Sequence, residues 1–184
     1  MAKLINGKLV YGYLSSVEVI QANYLADKKD GFGVDDFIAG YTGLFPWNWG
    51  TPPCSHTEAG FHIDGELWFF SSTSRKELNG GTGTRWTRGD FLLRNPNRWI
   101  LQTKVYSDDI IKAQIARANS LIGQEYDFVG VFADFTLPID LIVEKDSIYC
   151  SKAVRYVWTD KHIRVSPRHQ FKWAREDNWK IKKG

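Results

Sequence analysis

The chain has little sulfur and no long apolar run: its 184 residues include two cysteines and one methionine. No stretch approaches the ~20 consecutive apolar residues of a membrane-spanning helix, so we expect no such helix. The first residues lack the apolar core of about 7–15 residues that marks a secretory signal peptide. We therefore expect a cytoplasmic protein whose thiols are reduced.

Motifs for metals and nucleotides are also missing. Neither CxxC nor HxxxH occurs in the sequence, and protein metal sites usually need three or four ligands at such recognisable spacings. The glycine-rich stretch 80–83 lacks the lysine of a phosphate-binding loop, and no helix pattern follows it. We therefore expect neither a metal nor another cofactor.

Charge of one sign is scarce as well. The formal net charge is +3, which gives no reason to expect a nucleic-acid partner. Basic residues are more frequent after residue 160. A solvated surface is the ordinary meaning of such a cluster, and contact with an anionic membrane surface is an alternative that no other feature supports.

The residues that are present suffice for one folded domain over residues 1–184. The composition is 43% hydrophobic and 24% charged, which is typical of a globular chain. Segregated strand and helix patterns predict an α+β fold. The expected strands are residues 9–14, 85–87 and 99–103, and the expected helices are residues 16–26, residues 35–43 and a helix from Ser107 to Gly123 with Ile111, Ile115, Ala118 and Ile122 buried.

Residues 55–73 carry the clearest strand signal. Asp64-Gly65 lies between two β-prone runs, and this dipeptide favours a two-residue hairpin turn. In that register, Ile63 faces Glu66. Because side chains alternate across a strand, one face then carries His56, Glu58, Ser71 and Thr73.

Cys150 stands where a helix should begin. It follows a short turn, and the apolar residues after it have helical spacing. The helix dipole and the unpaired N–H groups of a first helical turn favour a thiolate, which is the nucleophilic form of cysteine. A buried cysteine that acts only as a small apolar side chain is the alternative.

Several short motifs, taken in order, connect these two segments. The histidine hairpin is followed by Gly123-x-x-Tyr126-Asp127, by Tyr149-Cys150-Ser151 and by Ser166-Pro167 at the start of a short helix. This order resembles the permuted papain-like thiol hydrolases of the NlpC superfamily, the YiiX-like proteins, which share a clan with relatives of lecithin:retinol acyltransferase. In that branch the histidine strand precedes the cysteine. The resemblance spans roughly residues 50–172 and rests on the order and spacing of the motifs together.

The resemblance implies an antiparallel sheet packed against helices, with the nucleophile at a helix N-terminus. Cys150 would be the nucleophile and His56 its base. Family members usually have a third polar residue, often a carboxylate, on the strand after the histidine. Ser71 and Thr73 are the candidates on that face here, and Glu58 on the histidine strand is the alternative.

Other residues near Cys150 are candidates for the oxyanion side of the site. The backbone N–H groups near Cys150 and Ser151 would supply part of an oxyanion hole. Tyr149 and Tyr126 are candidates to donate a further hydrogen bond, and core aromatics with satisfied hydroxyls are the alternative. We expect His56 to lie within about 4 Å of the Cys150 sulfur.

The expected activity is acyl transfer or hydrolysis at an amide or ester through a Cys-His pair. The resemblance implies a peptide, a cell-wall peptide or a lipid acyl group as substrate. A binding or structural module on the same scaffold is the alternative, since the strand after the histidine lacks a carboxylate on the matching face. A Cys54–Cys150 disulfide would silence such an enzyme.

Overall fold

The structure, a computed structural model, describes residues 1–26, 34–44, 49–74, 82–128, 130–131 and 147–183. A small hairpin comes first, formed by β1 (Lys3–Ile5) and β2 (Lys8–Val10). The strands of the main sheet are β3 (Leu14–Leu25), β4 (Cys54–Ile63), β5 (Glu66–Thr73), β6 (Gly83–Arg88), β7 (Trp99–Val105) and β8 (Lys180–Lys183). The helices are α1 (Val34–Gly43), α2 (Gly89–Leu92), α3 (Asp108–Ser120), α4 (Cys150–Thr159) and α5 (Pro167–Glu176), with a 3-10 turn at Pro96–Arg98.

The main sheet has the strand order β6-β5-β4-β3-β7-β8, and every neighbouring pair is antiparallel. The larger apolar core joins aromatic residues of the sheet, such as Phe61, Phe70 and Trp86, to Ile115 of α3 and Val154 of α4. The predicted α+β class, an antiparallel sheet packed against helices, is therefore confirmed. Within the described residues, no helix is long and apolar enough to cross a bilayer.

The two faces of the sheet have separate apolar clusters. Ile20, Ala22 and Phe69 pack with Leu92 and Trp99 in a smaller cluster. Phe70 of the larger cluster follows Phe69 of the smaller one on β5, and Val19 of the larger cluster precedes Ile20 on β3. Since adjacent residues of a strand point to opposite sides, both faces of the sheet centre are covered.

The predicted hairpin is confirmed. Ile63 pairs with Glu66 and His62 with Leu67, and both turn residues have positive φ, 50° at Asp64 and 81° at Gly65. Such a turn matches the twist of the flanking strands. The Asp64 carboxylate accepts hydrogen bonds from the N–H groups of Gly12 and Tyr13, which ties the turn to the start of β3.

The helix predicted at residues 16–26 is wrong, because this segment is strand β3. Val17, Val19 and Ile20 are β-branched, and such residues pack well on a pleated surface. β3 is also an interior strand that pairs with β4 on one side and β7 on the other. These two ladders satisfy its backbone and outweigh the local helix pattern. The strand predicted at residues 9–14 is instead divided, because β2 ends at Val10 and β3 begins at Leu14.

The other predicted elements agree with the structure. Helix 35–43 corresponds to α1, and the strands expected at residues 85–87 and 99–103 lie within β6 and β7. In α3, Ile111, Ile115 and Ala118 are buried. Ile122 follows the end of the helix and is only half-buried.

Candidate active site

The segment just before Cys150 pairs in parallel with the backbone at Glu125. The N–H of Ile148 donates to the carbonyl of Glu125 (2.9 Å), and Ser147 forms an isolated parallel bridge with Glu125. On the other side, the N–H of Thr84 in β6 donates to the carbonyl of Gln124 (3.0 Å). The Gly123-x-x-Tyr126-Asp127 motif therefore links β6 to the segment that positions Cys150.

Gly83 allows this link to be short. Its φ is 99°, and a Cβ at this position would lie 2.5 Å from the carbonyl oxygen of Gln124. A backbone oxygen cannot move aside as the end of a side chain can. Residue 83 must therefore be glycine for β6 to approach Gln124 this closely.

Cys150 is the first residue of α4, as predicted, and its side chain is buried. Tyr149 caps the helix with extended backbone angles (φ −96°, ψ 166°). The first N–H groups of a helix have no acceptor within the helix. They therefore stand next to the thiol as donors for a negative charge.

The side chains of Tyr149 and Ser151 support this helix start. The Ser151 hydroxyl donates to the carbonyl of Val165 (2.5 Å), and the Tyr149 hydroxyl accepts from the N–H of Val165 (3.2 Å). Both residues thus hold the segment before α5 against α4.

Tyr126 lies beside the same region. Its ring meets the ring of Phe128 edge to face, with centroids 4.9 Å apart. It also packs against the small cluster of Ile38, Val131 and Tyr149. The aromatic part of Tyr126 therefore has a packing role.

His56 and Glu58 lie two residues apart on β4, so their side chains are on the same side of the strand. Nε2 of His56 lies 2.8 Å from Oε1 of Glu58. The other ring nitrogen, Nδ1, is then the one left to face the Cys150 thiol, which lies near enough to the ring to raise the pKa of His56. The structure brings the predicted Cys-His pair together.

Arg85 of β6 completes this arrangement from the other side of Glu58. Its Nη2 lies 2.8 Å from Oε1 and its Nη1 3.3 Å from Oε2, so the guanidinium contacts both carboxylate oxygens. Glu58 is fully buried and His56 nearly so. We call Cys150, His56, Glu58 and Arg85 the charged chain.

The ionisation of Glu58 and His56 follows from their contacts. Burial raises the pKa of Glu58, but Arg85 and the hydrogen bond from His56 outweigh burial and lower this pKa to about 2. Burial lowers the pKa of His56, but its attraction to and hydrogen bond with Cys150, together with Glu58, raise this pKa to about 9. A protonated His56 beside an ionised Glu58 is therefore the stable form at neutral pH.

Ser71 does not contact the histidine ring through its hydroxyl. The Ser71 hydroxyl donates to the carbonyl of Thr57 (2.7 Å), and the side chain is fully buried. Of the two alternatives for the third residue, Glu58 is the one that touches His56.

Sequence reasoning missed Arg85. The strand was predicted, and in the structure Arg85 pairs with Ser71 across β5 and β6, on the face that the predicted register assigns to Glu58. A buried carboxylate without a cation is costly. A search along the next strand for a basic residue on that face would have found Arg85.

The second cysteine lies apart from this chemistry. Cys54 and Cys150 are both free thiols. Cys54 is fully buried, and burial, opposed by Arg168, raises the pKa of its thiol to about 12. In the described ranges, no group of three or more His, Cys, Asp and Glu side chains is arranged to hold a metal ion.

The geometry can support nucleophilic catalysis: a thiol at a helix N-terminus, a histidine beside it and a carboxylate that orients the ring. Comparisons of the chain with protein-family models, with curated proteins and with solved structures find no match.

Proposed function

We propose that this protein is a cysteine-dependent hydrolase or acyltransferase that acts on an amide or ester, on a permuted papain-like scaffold. The observation that carries the proposal is the contact of Cys150, at the start of α4, with a histidine whose ring is held by Glu58. A thiolate nucleophile requires a reduced cysteine, which suits the cytoplasm.

In the first half of the reaction, the Cys150 thiolate attacks the carbonyl carbon of the substrate. The C–N or C–O bond to the leaving group breaks, and the His56 imidazolium gives its proton to the leaving amine or alcohol. The acyl group is then bound to Sγ as a thioester.

In the second half, water or another acceptor attacks the thioester. His56, now neutral, takes the proton of the attacking group, and the C–S bond breaks to return the thiolate. Throughout, the Glu58 carboxylate keeps the imidazole in one orientation and stabilises its charged form, as the carboxylate of a catalytic triad does.

Charge that develops on the carbonyl oxygen needs donors that are already in place. The N–H groups of the first turn of α4, at Cys150 and Ser151, are suited to this because they have no intrahelical acceptor. The Ser151 hydroxyl donates its proton to the Val165 carbonyl, so we assign this side chain to support and not to the oxyanion.

The resemblance of the motifs to the NlpC superfamily suggests peptides, cell-wall peptides or lipid acyl groups as substrates, without a cofactor. The absence of a carboxylate on the strand after the histidine had favoured a non-catalytic module. Glu58 fills that role from the histidine strand, so the reason for this alternative is removed.

The test is a substrate screen with peptidyl, acyl-glycerol and phospholipid substrates, alongside labelling by a thiol-directed probe. Cys150→Ala serves as the blank, and Cys54→Ala is the matched control because it removes the other, fully buried thiol. We expect turnover and labelling that depend on Cys150 alone. Labelling of Cys54 before Cys150, with no Cys150-dependent turnover of any substrate, would contradict the proposal.

A further inference from the structure

Arg85 is the member of the charged chain farthest from the nucleophile. It comes from β6, an edge strand of the sheet, and reaches past β5 to the Glu58 carboxylate on β4. Its guanidinium contacts both carboxylate oxygens at 2.8 and 3.3 Å. Two-point contacts of this kind fix the orientation of a carboxylate as well as its charge.

Both ends of the charged chain, Arg85 and Cys150, are held by the same backbone segment. Next to Arg85, Thr84 is bonded through its N–H to Gln124 and through its hydroxyl to the carbonyl of Leu121 (2.7 Å). One residue on, the Glu125 carbonyl accepts from Ile148 on the approach to Cys150. The fold thus places Arg85 and Cys150 relative to each other through residues 121–125.

The formal charges of the charged chain sum to zero only if Arg85 is included. With a thiolate at Cys150, an imidazolium at His56 and a carboxylate at Glu58, the buried groups carry one excess negative charge, which Arg85 cancels. Without that cation, a buried site with excess negative charge binds a proton more readily. Since Arg85 is the cation that lowers the pKa of Glu58, the Glu58 carboxylate is then lost at a higher pH than before.

Other ionisable or cationic groups on the surrounding elements are more remote from Glu58. The charges that shift the pKa of Glu58 are those of Arg85 and His56. β5, between β4 and β6, contributes uncharged Ser71 and Thr73 on this face. Other groups on the packed elements include Cys54 on β4, Tyr24 on β3, Arg98 over the Tyr24 ring and Arg168 on α5, whose charge acts on Cys54.

We propose that Arg85 is a positioning residue that keeps Glu58 ionised and oriented toward His56, and so sets the lower pH limit of Cys150 reactivity. This inference rests on the proposed function, since it assigns a purpose to Arg85 within the same site. Its test, however, needs no substrate.

The experiment measures the rate at which iodoacetamide alkylates Cys150, from about pH 4 to pH 9, with the modified cysteine identified by mass spectrometry. Arg85→Gln should move the acid limb of this profile up by about one pH unit, so that alkylation slows roughly tenfold near pH 5. Near pH 8.5, above the acid limb of both proteins, the rate should stay within about twofold of wild type. Arg85→Lys keeps the positive charge but loses the two-point contact with the carboxylate. Its acid limb should therefore lie between those of wild type and Arg85→Gln.

Arg88→Gln is the matched control. Arg88 lies on the same strand, is half exposed and pairs with Glu66 and Asp90 at the surface. Its removal should leave the profile unchanged. An Arg85→Gln profile that coincides with those of wild type and Arg88→Gln would overturn the proposal.

A second comparison covers the case in which Arg85→Gln does not fold. The double variant Glu58→Gln/Arg85→Gln removes both charges of the pair and leaves two amides that can bond. If Arg85 acts through Glu58, the double variant should have the same profile as Glu58→Gln alone. A further slowing of at least about tenfold in the double variant would contradict that role. The proposed function fails separately, if Cys150 is unreactive in the wild-type protein.

Discussion

Thr57 and Glu58 are neighbours on β4, and since they are consecutive in a strand their side chains point to opposite faces of the sheet. Each leads to a buried polar cluster. Glu58 joins the charged chain with His56 and Arg85. Thr57 donates to Oδ1 of Asn23 (3.3 Å), which belongs to a cluster of fully buried amides made of Gln21, Asn23, Gln102 and Gln170. We call these four residues the amide cluster.

The side-chain amides of the amide cluster are hydrogen-bonded to one another, and none of the four residues is ionisable. Nε2 of Gln21 donates to Oε1 of Gln102 (3.0 Å), and Nε2 of Gln170 donates to Oε1 of Gln21 (2.7 Å). Trp158 of α4 donates to the same Gln21 oxygen (3.2 Å). Its cationic neighbour Arg155 donates to Gln170 (2.7 Å). The cluster therefore joins β3 and β7 to both α4 and α5.

The two clusters show where this fold keeps buried charge. Neutral hydrogen bonds connect helices to a sheet at little cost, each contributing about 0.5–1.5 kcal/mol net. Buried ions cost far more to desolvate, and their mutual attraction offsets this only when the geometry is good. In this protein the ion pairs join Glu58 to His56 and Arg85, whereas the amide cluster, with the buried cation Arg155 bonded to Gln170, connects the sheet to α4 and α5.

The largest effect should come from breaking the charged chain at its reactive end. Cys150→Ala removes the nucleophile, and His56→Ala removes its base. We expect each to reduce kcat by at least about 10³-fold, because the members of such a unit fail together. The measurement is turnover of a substrate found in the screen, with circular dichroism to show that the variants fold. Cys54→Ala should keep near-wild-type turnover, and equal losses in all three variants would contradict the assignment.

The next largest effect should distinguish Glu58 from Ser71. Glu58→Gln keeps the shape but removes the charge that holds the imidazolium, and we expect kcat/KM to fall by about 10²–10⁴-fold. Ser71→Ala removes a hydroxyl bonded to the Thr57 carbonyl, so its loss should be no more than about tenfold. Steady-state kinetics on both variants decide between them, and the reverse order of losses would identify Ser71 as the third residue.

Alkaline pH should weaken the native state through His56. Its pKa is raised from 6.5 to about 9, so its contribution is fully present below about pH 6.5 and is lost as the pH rises through about 9. We expect the free energy of unfolding to fall by about 3 kcal/mol between pH 6.5 and pH 10. Urea unfolding across this range measures it.

For Glu58, the free energy of unfolding should change with pH in the opposite direction. Its pKa is lowered from 4.5 to about 2, so its contribution is present above about pH 4.5 and is lost as the pH falls toward 2. His56→Gln should remove the alkaline loss and keep the part of the acid loss that Arg85 causes through Glu58. An alkaline loss of unchanged size in His56→Gln would assign it to another group.

The smallest effect should come from the amide cluster. Gln102 accepts from Gln21 and Asn23 and donates to the carbonyl of Phe171 (3.1 Å). Gln102→Leu leaves these partners short of hydrogen bonds and should lower the free energy of unfolding by about 2 kcal/mol. Because amides do not titrate, the loss should be equal at pH 6 and pH 9. A loss that depended on pH would show that the amide cluster is coupled to a titrating group, either Arg155, which bonds to Gln170, or the charged chain.

The sequence predicted the local placement of His56, Glu58 and Cys150 better than it predicted strand β3. The Asp64-Gly65 turn has local chemistry that requires positive φ, so the hairpin and its register were readable, and with them the shared face of His56 and Glu58. The start of α4 at Cys150 was also readable, because the signals of a helix start lie in neighbouring residues. β3 was not, because its strand state depends on β4 and β7, which lie far along the chain.

Ser71 and Glu58 show the limit within the site itself. Both are on the predicted face, and pattern alone cannot say which side chain reaches the ring. The hydroxyl of Ser71 is bound by a carbonyl of the neighbouring strand, whereas the longer Glu58 side chain lies between His56 and Arg85. That choice depends on distances of a few ångström between strands.

By itself, the sequence determined the elements whose signals are local: the turn at Asp64-Gly65, helix α3, the helix start at Cys150 and the order of histidine before cysteine. Only the tertiary structure decided that residues 16–25 form a strand, that Arg85 neutralises Glu58 and that residues 121–125 hold both ends of the charged chain. The physical reason is that a turn or a helix start depends on neighbouring residues, whereas a buried charge is stable only beside a partner that the whole fold brings to it.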